Sequence, residues 1–259
     1  MDLGISGRVA VVTGAGRGIG LAITEALAGE GVRVIAGSRT TTPELAQLAA
    51  NGAVLPVEVD LASPTGPAQL VAAAGERVDI LVNNVGSAPA RTGGFLAVTE
   101  EEWHATLELN LLAAVRATRA ALPLMLGQHR GAIVIVSSVN STLADPNVID
   151  YGAAKAGLAN FAKALSKEVG PHGVRVNTVS PGPVATALWL GAGGVAETVA
   201  GATGLSPQAV AEGAVAGTAT RRFSQPKEVA DAVLFLASDL AGNITGADIT
   251  VDGGLIPTW

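Results

Sequence analysis

Seven short runs rich in valine and isoleucine recur along the chain, and most are apolar throughout instead of alternating between apolar and polar residues. Such continuous apolar runs are typical of strands that are buried on both faces of a sheet. The predicted strands are Val9–Val12, Val32–Ile35, Val54–Val59, Asp79–Val82, Ile133–Val136, Val174–Val179 and Ile249–Val251. The alanine-rich segments between them predict helices at Gly18–Ala28, Glu44–Ala50, Ala68–Ala74, Glu100–Leu126, Tyr151–Val169 and Lys227–Ala237. This alternation predicts an α/β fold in which helices cover both faces of a parallel sheet.

The composition favours one large domain. Hydrophobic residues make up 49% of the chain and charged residues 15%, so the chain can bury a sizeable core. No linker or repeat divides it, which predicts a single domain over residues 1–259. The segment 186–217 departs from the rhythm, because it holds Trp189 and many glycines and alanines but no strand pattern. We predict a helical insertion that acts as a substrate lid, with a mobile connection as the alternative.

Charge and residue usage disfavour several classes of function. The net charge is −6 and Arg221-Arg222 is the one adjacent basic pair, so no nucleic-acid groove is predicted. The chain has no cysteine and its three histidines are scattered, so no metal site is predicted and a cytoplasmic location is favoured. The first ten residues contain charges and glycines, so no signal peptide is expected. The apolar run after Leu111 is interrupted by two arginines and a proline, so no membrane span is expected either.

A glycine-rich loop follows the first predicted strand. The residues from Thr13 to Gly20 read Thr-Gly-Ala-Gly-Arg-Gly-Ile-Gly and lead into the first predicted helix. Glycines let a backbone approach a pyrophosphate closely, and the N-terminus of a helix presents free N–H groups to it. The loop therefore predicts a site for the phosphates of a dinucleotide. The residues predicted to bind the cofactor there are Gly14, Arg17, Gly18, Ile19 and Gly20.

The end of the second predicted strand indicates which dinucleotide binds. An acidic residue at this point would hold the ribose 2′-hydroxyl of NAD. This chain has Ser38 and Arg39 there and no acid. A guanidinium suits the 2′-phosphate of NADP, because it can form paired, charge-assisted hydrogen bonds. We therefore predict that Ser38 and Arg39 bind the cofactor and that NADP(H) is favoured, with NAD(H) as the alternative.

A tyrosine and a lysine share one face of a predicted helix. Tyr151 is the only tyrosine of the chain, and Lys155 follows it by four residues. Residues at i and i+4 lie on the same face, so both side chains can point into one site. A nearby ammonium favours the phenolate, which predicts a lowered pKa for Tyr151 and a role as general acid or base. Ser138 ends the fifth predicted strand, where its hydroxyl can bond a substrate oxygen.

Together these features resemble the short-chain dehydrogenase/reductase family, and within it the single-domain branch similar to 3-oxoacyl-carrier-protein reductases. The motifs that carry the resemblance stand in the family's order: Thr13 to Gly20, Asp60-Leu61, Asn83-Asn84-Val85-Gly86, Asn110, Ser138, Tyr151-x-x-x-Lys155 and Pro181-Gly182. They span essentially the whole chain, and Val85, where the family usually has alanine, is a mild departure. The resemblance implies a Rossmann-type, doubly wound sheet of seven parallel strands with helices on both faces.

The resemblance also implies roles for individual residues. Tyr151 would be the general acid in reduction, Lys155 would bind the nicotinamide ribose and lower the pKa of the tyrosine, and Ser138 would orient the carbonyl. Asn110, in the middle of a long predicted helix, would hold a water in the proton relay, with an ordinary helix asparagine as the alternative. The further cofactor-binding residues that it implies are Asp60 and Leu61 near the adenine, Asn84 and Gly86 in the crevice, and Pro181, Gly182, Val184 and Thr186 beside the nicotinamide.

Substrate and assembly are implied in the same way. Family members often form tetramers through two long helices, here near residues 100–126 and 151–169, so a homotetramer is expected. The segments Arg91–Gly94 and Ala185–Gly217 fall where the family builds its substrate pocket. The implied partner is a small molecule that carries a carbonyl or an alcohol.

These observations predict an NADP(H)-dependent oxidoreductase that interconverts a ketone and a secondary alcohol. An NAD-dependent alcohol dehydrogenase of the same family is the first alternative. A cofactor-binding sensor without turnover is the second, but a sensor would need neither Tyr151 nor Lys155 nor Ser138. A sugar-nucleotide epimerase or dehydratase shares the Tyr-x-x-x-Lys motif, but those relatives carry a larger C-terminal substrate domain and a different glycine spacing.

Overall fold

A seven-stranded parallel sheet forms the centre of the molecule in the computed structural model, which describes residues 2–258. The strand order is β3-β2-β1-β4-β5-β6-β7, and every neighbouring pair is parallel. The strands are β1 (Val9–Thr13), β2 (Arg33–Ser38), β3 (Val54–Glu58), β4 (Ile80–Asn83), β5 (Gly131–Val136), β6 (Val174–Pro181) and β7 (Asp248–Val251). The predicted parallel α/β sheet is confirmed.

Burial explains why the strand sequences do not alternate. All residues of β1, β4 and β5 are buried, because helices cover both faces of the central strands. The edge strands β3 and β7 expose part of their residues. The central runs therefore had to be apolar on both sides, which is the pattern that the sequence displays.

Ten α-helices are present in the described residues. They are α1 (Gly18–Gly29), α2 (Pro43–Ala49), α3 (Gly66–Ala72), α4 (Glu100–Leu107), α5 (Ala113–Gly127), α6 (Ile149–Val169), α7 (Ala187–Leu190), α8 (Val195–Thr203), α9 (Pro207–Ala216) and α10 (Pro226–Ala237). Short 3-10 turns at Phe95–Ala97, Val139–Ser141, Pro146–Val148, Gly170–His172 and Asp239–Ala241 connect some of these elements.

The helices divide between the two faces of the sheet and enclose two cores. On one face α1, α2 and α10 pack against the sheet, with Leu27 of α1 and Val233 of α10 fully buried. On the other face α3, α5 and α6 do the same, with Leu70 of α3, Met125 of α5 and Leu158 of α6 buried. Aliphatic residues and alanine fill both cores, as the aromatic content of 3% requires.

The prediction of one continuous α-helix over Glu100–Leu126 is wrong in one respect. A π-helical turn at Glu108–Leu112 separates α4 from α5, and Asn110 lies in the middle of it. Four of the five residues of this turn, a glutamate and three leucines, are good helix formers, so the helical pattern could not reveal the change of hydrogen bonding. Single π turns inside α-helices occur frequently at functional sites.

By length and composition alone, the stretch Glu100–Gly127 could cross a membrane, with a mean hydropathy of 1.3 over its most apolar window. Of that window 39% is buried inside the fold, where Ala117, Ala121 and Met125 belong to the core. A buried core helix has the same length and composition, so this stretch is only weak evidence for a membrane span.

The segment 186–217 is helical, as predicted. It consists of α7, α8 and α9, joined by short connections that contain glycine. Trp189 of α7 packs edge to face against Phe223, with ring centroids 5.7 Å apart. Leu188 and Leu190 remain 44% and 51% exposed. The segment therefore carries an apolar surface of its own while the tryptophan anchors it.

Candidate active site

The candidate site lies at the carboxyl ends of the strands, between β1 and β4. After β1 the chain adds strands on one side of the sheet, and after β4 it adds them on the other side. The sheet is extended from β1 through β2 to β3, and then the chain returns to place β4 on the other side of β1. In doubly wound sheets this switch in strand order opens a crevice that binds ligands. The glycine-rich loop, Asn84, Ser138 and Gly182 all follow strands that end there.

The glycine-rich loop is too tightly folded for side chains at several positions. Gly14 and Gly18 have φ of +71° and +57°, a region that favours glycine. A Cβ on Gly20 would lie 2.1 Å from the carbonyl oxygen of Gly14. Asn84 Nδ2 donates to the carbonyls of Thr13 and Gly14 at 2.9 and 3.1 Å, which ties the loop to the end of β4.

The start of α1 is open to an anion. Its N-cap, Arg17, makes no side-chain capping bond, and the first turn holds no acidic residue. The first N–H groups of such a helix have no partner within the helix, and its dipole favours negative charge. The closely folded glycine backbone and this uncapped N-terminus fit the diphosphate of a dinucleotide.

Two exposed arginines stand on the segments that meet where the loop touches β2: Arg17 lies in the loop, and Arg39 directly follows the strand. A Cβ on Gly16 would lie 3.1 Å from Cβ of Ser38, so the loop and the end of β2 touch. Ser38 is buried and donates to the carbonyl of Thr40 at 2.9 Å. Arg17 and Arg39 are exposed, and neither forms a salt bridge with another described residue. Both cations are therefore available to a phosphate.

The predicted adenine contacts differ from each other in exposure. Asp60 is exposed, and its Oδ1 accepts a hydrogen bond from the N–H of Ala62 at 3.0 Å. Leu61 is 3% exposed and belongs to the core on the α3 side of the sheet. The side chain of Leu61 is thus committed to packing, and any contact with a cofactor falls to its backbone.

The segment after β6 runs back over the start of α1. Pro181 ends β6, and a Cβ on Gly182 would lie 2.9 Å from Cβ of Asp252. Val184 is 4% exposed and pairs with Ser224. Thr186 approaches Gly18, on which a Cβ would lie 3.3 Å from Cγ2 of the threonine. The predicted nicotinamide-side residues and the phosphate loop therefore border one crevice.

Tyr151 and Ser138 lie near each other beside the end of β5. Tyr151 is the third residue of α6 and is partly buried. Burial raises the pKa of its phenol, and a hydrogen bond with the Ser138 hydroxyl opposes this only in part. The predicted lowering of the Tyr151 pKa is therefore wrong for this structure, because desolvation of the phenolate dominates. The phenol stays protonated at neutral pH and can act as a proton donor.

Lys155 lies one helical turn further along α6 and is 3% exposed. Its Nζ lies 5.6 Å from the centroid of the Tyr151 ring and donates to the carbonyl of Val136 at 2.9 Å. Burial lowers the pKa of Lys155 from 10.5 to about 8. The predicted convergence of tyrosine, lysine and serine is present, although the ammonium faces the ring and the end of β5.

Asn110 and Gly86 complete the same corner of the site. Asn110 is 1% exposed, and its amide bonds the backbone of Ser87 in both directions, accepting at 3.1 Å and donating at 3.0 Å. A Cβ on Gly86 would lie 2.7 Å from Asn110 Oδ1 and 3.6 Å from Lys155 Nζ. The Asn110 side-chain amide is thus already bonded to backbone groups of Ser87 and Thr106, and its expected role in a proton relay stays a prediction.

Three residues that shape the site were not among the predicted site residues. Thr13 Oγ1 accepts from the N–H groups of Asn84 and Val85 at 2.9 and 3.1 Å, which holds the end of β4 against β1. The Ser138 hydroxyl donates to Asn140 Oδ1 at 3.3 Å. The backbone N–H of Asn140 in turn donates to Ser138 Oγ at 3.2 Å. The signal for Thr13 was its place at the strand end, whereas nothing local marked Asn140.

The third residue, Asp150, forms a buried ion pair with Arg91. The segment Arg91–Gly94 was expected to contribute to a substrate pocket. The side chain of Arg91 is instead turned inward, 9% exposed, and bonded to Asp150 and Glu102. Its guanidinium is already bonded to two carboxylates and to the Thr106 hydroxyl, and the contribution of the segment to a substrate pocket stays a prediction.

Comparisons with known proteins agree with this geometry. A family model described as enoyl-(acyl carrier protein) reductase matches residues 14–256. The 3-oxoacyl-[acyl-carrier-protein] reductase of Escherichia coli (strain K12) is 37% identical over 259 residues, which cover 98% of this chain and 99% of that protein. The corresponding protein of Thermotoga maritima is 35% identical, with 97% and 99% covered.

Solved structures show the same fold. L-sorbose reductase from Gluconobacter frateurii, complexed with NADPH and L-sorbose, superposes with a TM-score of 0.90 at 33% identity over the full length of both chains. A chain from Beutenbergia cavernae with bound NADP superposes with a TM-score of 0.88 at 32% identity, again over both full lengths. The protein therefore belongs to the short-chain dehydrogenase/reductase family and is an oxidoreductase.

Proposed function

We propose that this protein is an NADP(H)-dependent reductase that converts a small ketone to a secondary alcohol, with Tyr151 as its proton donor. The observation that carries the proposal is the meeting of Tyr151, Ser138 and Lys155 at the strand ends, beside an uncapped helix N-terminus and two free guanidiniums. NADPH, when bound, supplies the hydride. The chain's own residues must then hold the carbonyl and deliver a proton to its oxygen.

Tyr151 suits proton donation in the direction of reduction. Its raised pKa keeps the phenol protonated at neutral pH, where it can pass a proton to an oxygen that gains negative charge. The Ser138 hydroxyl lies close enough to the phenol to lower its pKa, so the two O–H groups can converge on one carbonyl oxygen and orient it. The backbone N–H of Asn140 donates to the serine oxygen and helps to hold it in place.

Lys155 contributes positive charge next to the phenol ring. With a pKa of about 8 it is mostly protonated at pH 7, and its ammonium is held within 5.6 Å of the ring centroid. We propose that it binds the nicotinamide ribose and stabilises the phenolate that forms when Tyr151 gives up its proton. The backbone of the π turn around Asn110 would hold the water that returns this proton.

The preference for NADP(H) is supported by Arg17 and Arg39. Both guanidiniums are exposed, beside the contact between Gly16 and Ser38, and no acidic residue stands at the end of β2. A 2′-phosphate at this place would meet paired hydrogen-bond donors instead of a carboxylate. Two structures similar to this chain hold NADPH or NADP, which agrees with the preference.

The substrate side is proposed to be closed by the segment 186–217 acting as a lid. Leu188 and Leu190 are exposed there, close in sequence to Thr186, which borders the start of α1. We further propose a cytoplasmic homotetramer that assembles through α5 and α6, as the family resemblance implies. Sedimentation of the purified protein tests the tetramer directly.

The test of function is reduction by the wild-type chain and by Tyr151→Phe. NADPH oxidation is followed with ethyl acetoacetate and with L-sorbose as probe ketones. We expect wild-type turnover of at least one probe, and a loss of at least about 100-fold in Tyr151→Phe with NADPH binding preserved. Full activity of Tyr151→Phe would contradict the mechanism. If the protein binds NADPH tightly but reduces none of a broad panel of ketones, the alternative of a cofactor-binding sensor without turnover is favoured.

A further inference from the structure

A buried ion pair joins the start of α6 to the loop after β4. Arg91 lies in that loop, and Asp150 is the second residue of α6, directly before Tyr151. The guanidinium donates to Asp150 Oδ2 from Nε at 3.1 Å and from Nη2 at 2.5 Å. The side chains of Asp150 and Arg91 are 0% and 9% exposed. The function proposed above uses neither of them.

Two residues of α4 extend the pair toward Asn110. Thr106 donates from Oγ1 to Asp150 Oδ2 at 2.7 Å, and Glu102 accepts from Arg91 Nη1 at 2.6 Å. The carbonyl of Thr106 in turn accepts from Asn110 Nδ2 at 3.0 Å. A continuous path of hydrogen bonds therefore runs from Asn110 to the residue next to Tyr151.

Burying the Arg91–Asp150 ion pair costs free energy, because both charged groups lose their hydration. Burial raises the pKa of Asp150, but hydrogen bonds from Arg91 and from Thr106 outweigh this effect, so the pKa is lowered overall. Asp150 Oδ1 is buried and has no hydrogen-bond partner among the described residues. Buried ion pairs seldom add net stability compared with apolar packing, so a geometric role is the better explanation.

The start of α6 needs such a constraint. It follows two short 3-10 turns, Val139–Ser141 and Pro146–Val148, and its N-cap Val148 makes no side-chain capping bond. Tyr151 thus stands in the first turn of a helix that its own sequence does not cap. Arg91 binds this region through two contacts. Its side chain pairs with Asp150, and its backbone N–H donates to the carbonyl of Asn147 at 2.7 Å.

We infer that Arg91 and Asp150 are positioning residues that fix the Tyr151 phenol relative to Ser138 and Asn110. Neither side chain touches the reacting atoms. Arg91 binds the carboxylate next to the phenol-bearing residue, and Thr106 connects that carboxylate to the π turn. The catalytic consequence rests on the proposed function, since it requires Tyr151 to be the proton donor, whereas the structural consequence does not.

The first measurement uses the fact that Tyr151 is the only tyrosine of the chain. Full-length protein labelled with 13C at tyrosine Cζ gives a single ring resonance that needs no assignment. Arg91→Lys keeps the charge but loses the planar fork, and Thr106→Val removes one donor without leaving an unpaired charge. We expect the resonance of both variants to move or to split into several orientations.

The matched control is Arg8→Lys, which alters another arginine–aspartate pair. Arg8 is 7% exposed and bonds Asp239 at 2.6 Å, remote in the chain from α4 and α6. Its Tyr151 resonance should coincide with that of the wild type. Unchanged resonances in folded Arg91→Lys and Thr106→Val would overturn the inference, as would an equal change in Arg8→Lys. Circular dichroism establishes that each variant is folded.

The second measurement compares the effect of the substitution on kcat with its effect on the Kd of NADPH. With NADPH and ethyl acetoacetate, we expect kcat of Arg91→Lys to fall about tenfold or more, while the Kd of NADPH changes less than about twofold. Parallel losses in kcat and NADPH affinity would show general damage and overturn the inference. If the wild type reduces no probe ketone, the proposed function fails, but the tyrosine resonance still decides the positioning role.

Discussion

Lys155 donates its ammonium hydrogen bond to the backbone carbonyl of Val136, at 2.9 Å, and so the buried cation is held between the end of β5 and the Tyr151 ring. The same burial lowers the pKa of Lys155 to about 8, because the charged form loses its hydration. The charge on this residue therefore changes within an accessible pH range. Two predictions depend on this change.

The first prediction concerns the pH dependence of reduction. We expect kcat/KM to fall as pH rises through about 8, since Lys155 then loses the charge proposed to stabilise the phenolate. The raised pKa of Tyr151 keeps the phenol protonated over the same range, so its ionisation does not cause the fall. The profile of kcat/KM reports the free enzyme and is measured between pH 6 and about 10. A flat profile across this range would refute the assignment.

The second prediction concerns stability in Lys155→Met. The folded pKa of about 8 lies below the unfolded value of 10.5, so folding is penalised while the buried lysine is charged. The penalty is fully present below pH 8 and disappears as pH rises toward 10.5. It amounts to about 3 kcal/mol at 1.36 kcal/mol per pKa unit.

We expect urea unfolding to show that the stability of the wild type relative to Lys155→Met rises by about 2 kcal/mol between pH 7 and pH 9.5. The comparison with the variant cancels the titration of groups that both proteins share. A relative stability that falls over this interval would show that Lys155 is not desolvated as described.

The third prediction concerns cofactor choice. Arg39→Ala should weaken NADPH binding about 10- to 100-fold, the loss expected for charge-assisted hydrogen bonds, and should change NADH binding little. The matched control is Arg33→Ala, because Arg33 is also exposed but begins β2 at the opposite end of the strand. Equal losses for the two nucleotides would mean that Arg39 does not contact the 2′-phosphate. Isothermal titration of each nucleotide gives the affinities.

The fourth prediction concerns Gly86. In Gly86→Ala the new Cβ would lie 2.7 Å from Asn110 Oδ1, so the asparagine or the loop has to shift. Displacement of about 1 Å near a reacting centre can lower turnover about 100-fold, and we expect kcat to fall about 10- to 100-fold. Gly127→Ala is the control, since a Cβ on this residue of α5 meets nothing within 4 Å. Equal kcat values for the two variants would contradict the crowding at Gly86.

Much of the fold was accessible from local pattern. Strands buried on both faces must be apolar on both faces, so runs such as Ile133–Val136 predicted the central sheet. The i,i+4 spacing of Tyr151 and Lys155 likewise predicted that both lie on one face of α6, because helix geometry is the same wherever a helix occurs. These features depend on neighbours close in sequence.

The tertiary structure alone decided the features that depend on distant residues. The π turn around Asn110 interrupts a stretch for which the sequence predicted one continuous helix, and the direction of the Tyr151 pKa shift depends on how far the fold removes water from the phenol. Arg91 and Asp150 are 59 positions apart, and only the fold brings them together. The sequence by itself determined which groups are present and on which elements they lie. Burial and long-range hydrogen bonds determined what those groups can do, because desolvation and pairing arise only when separate segments pack.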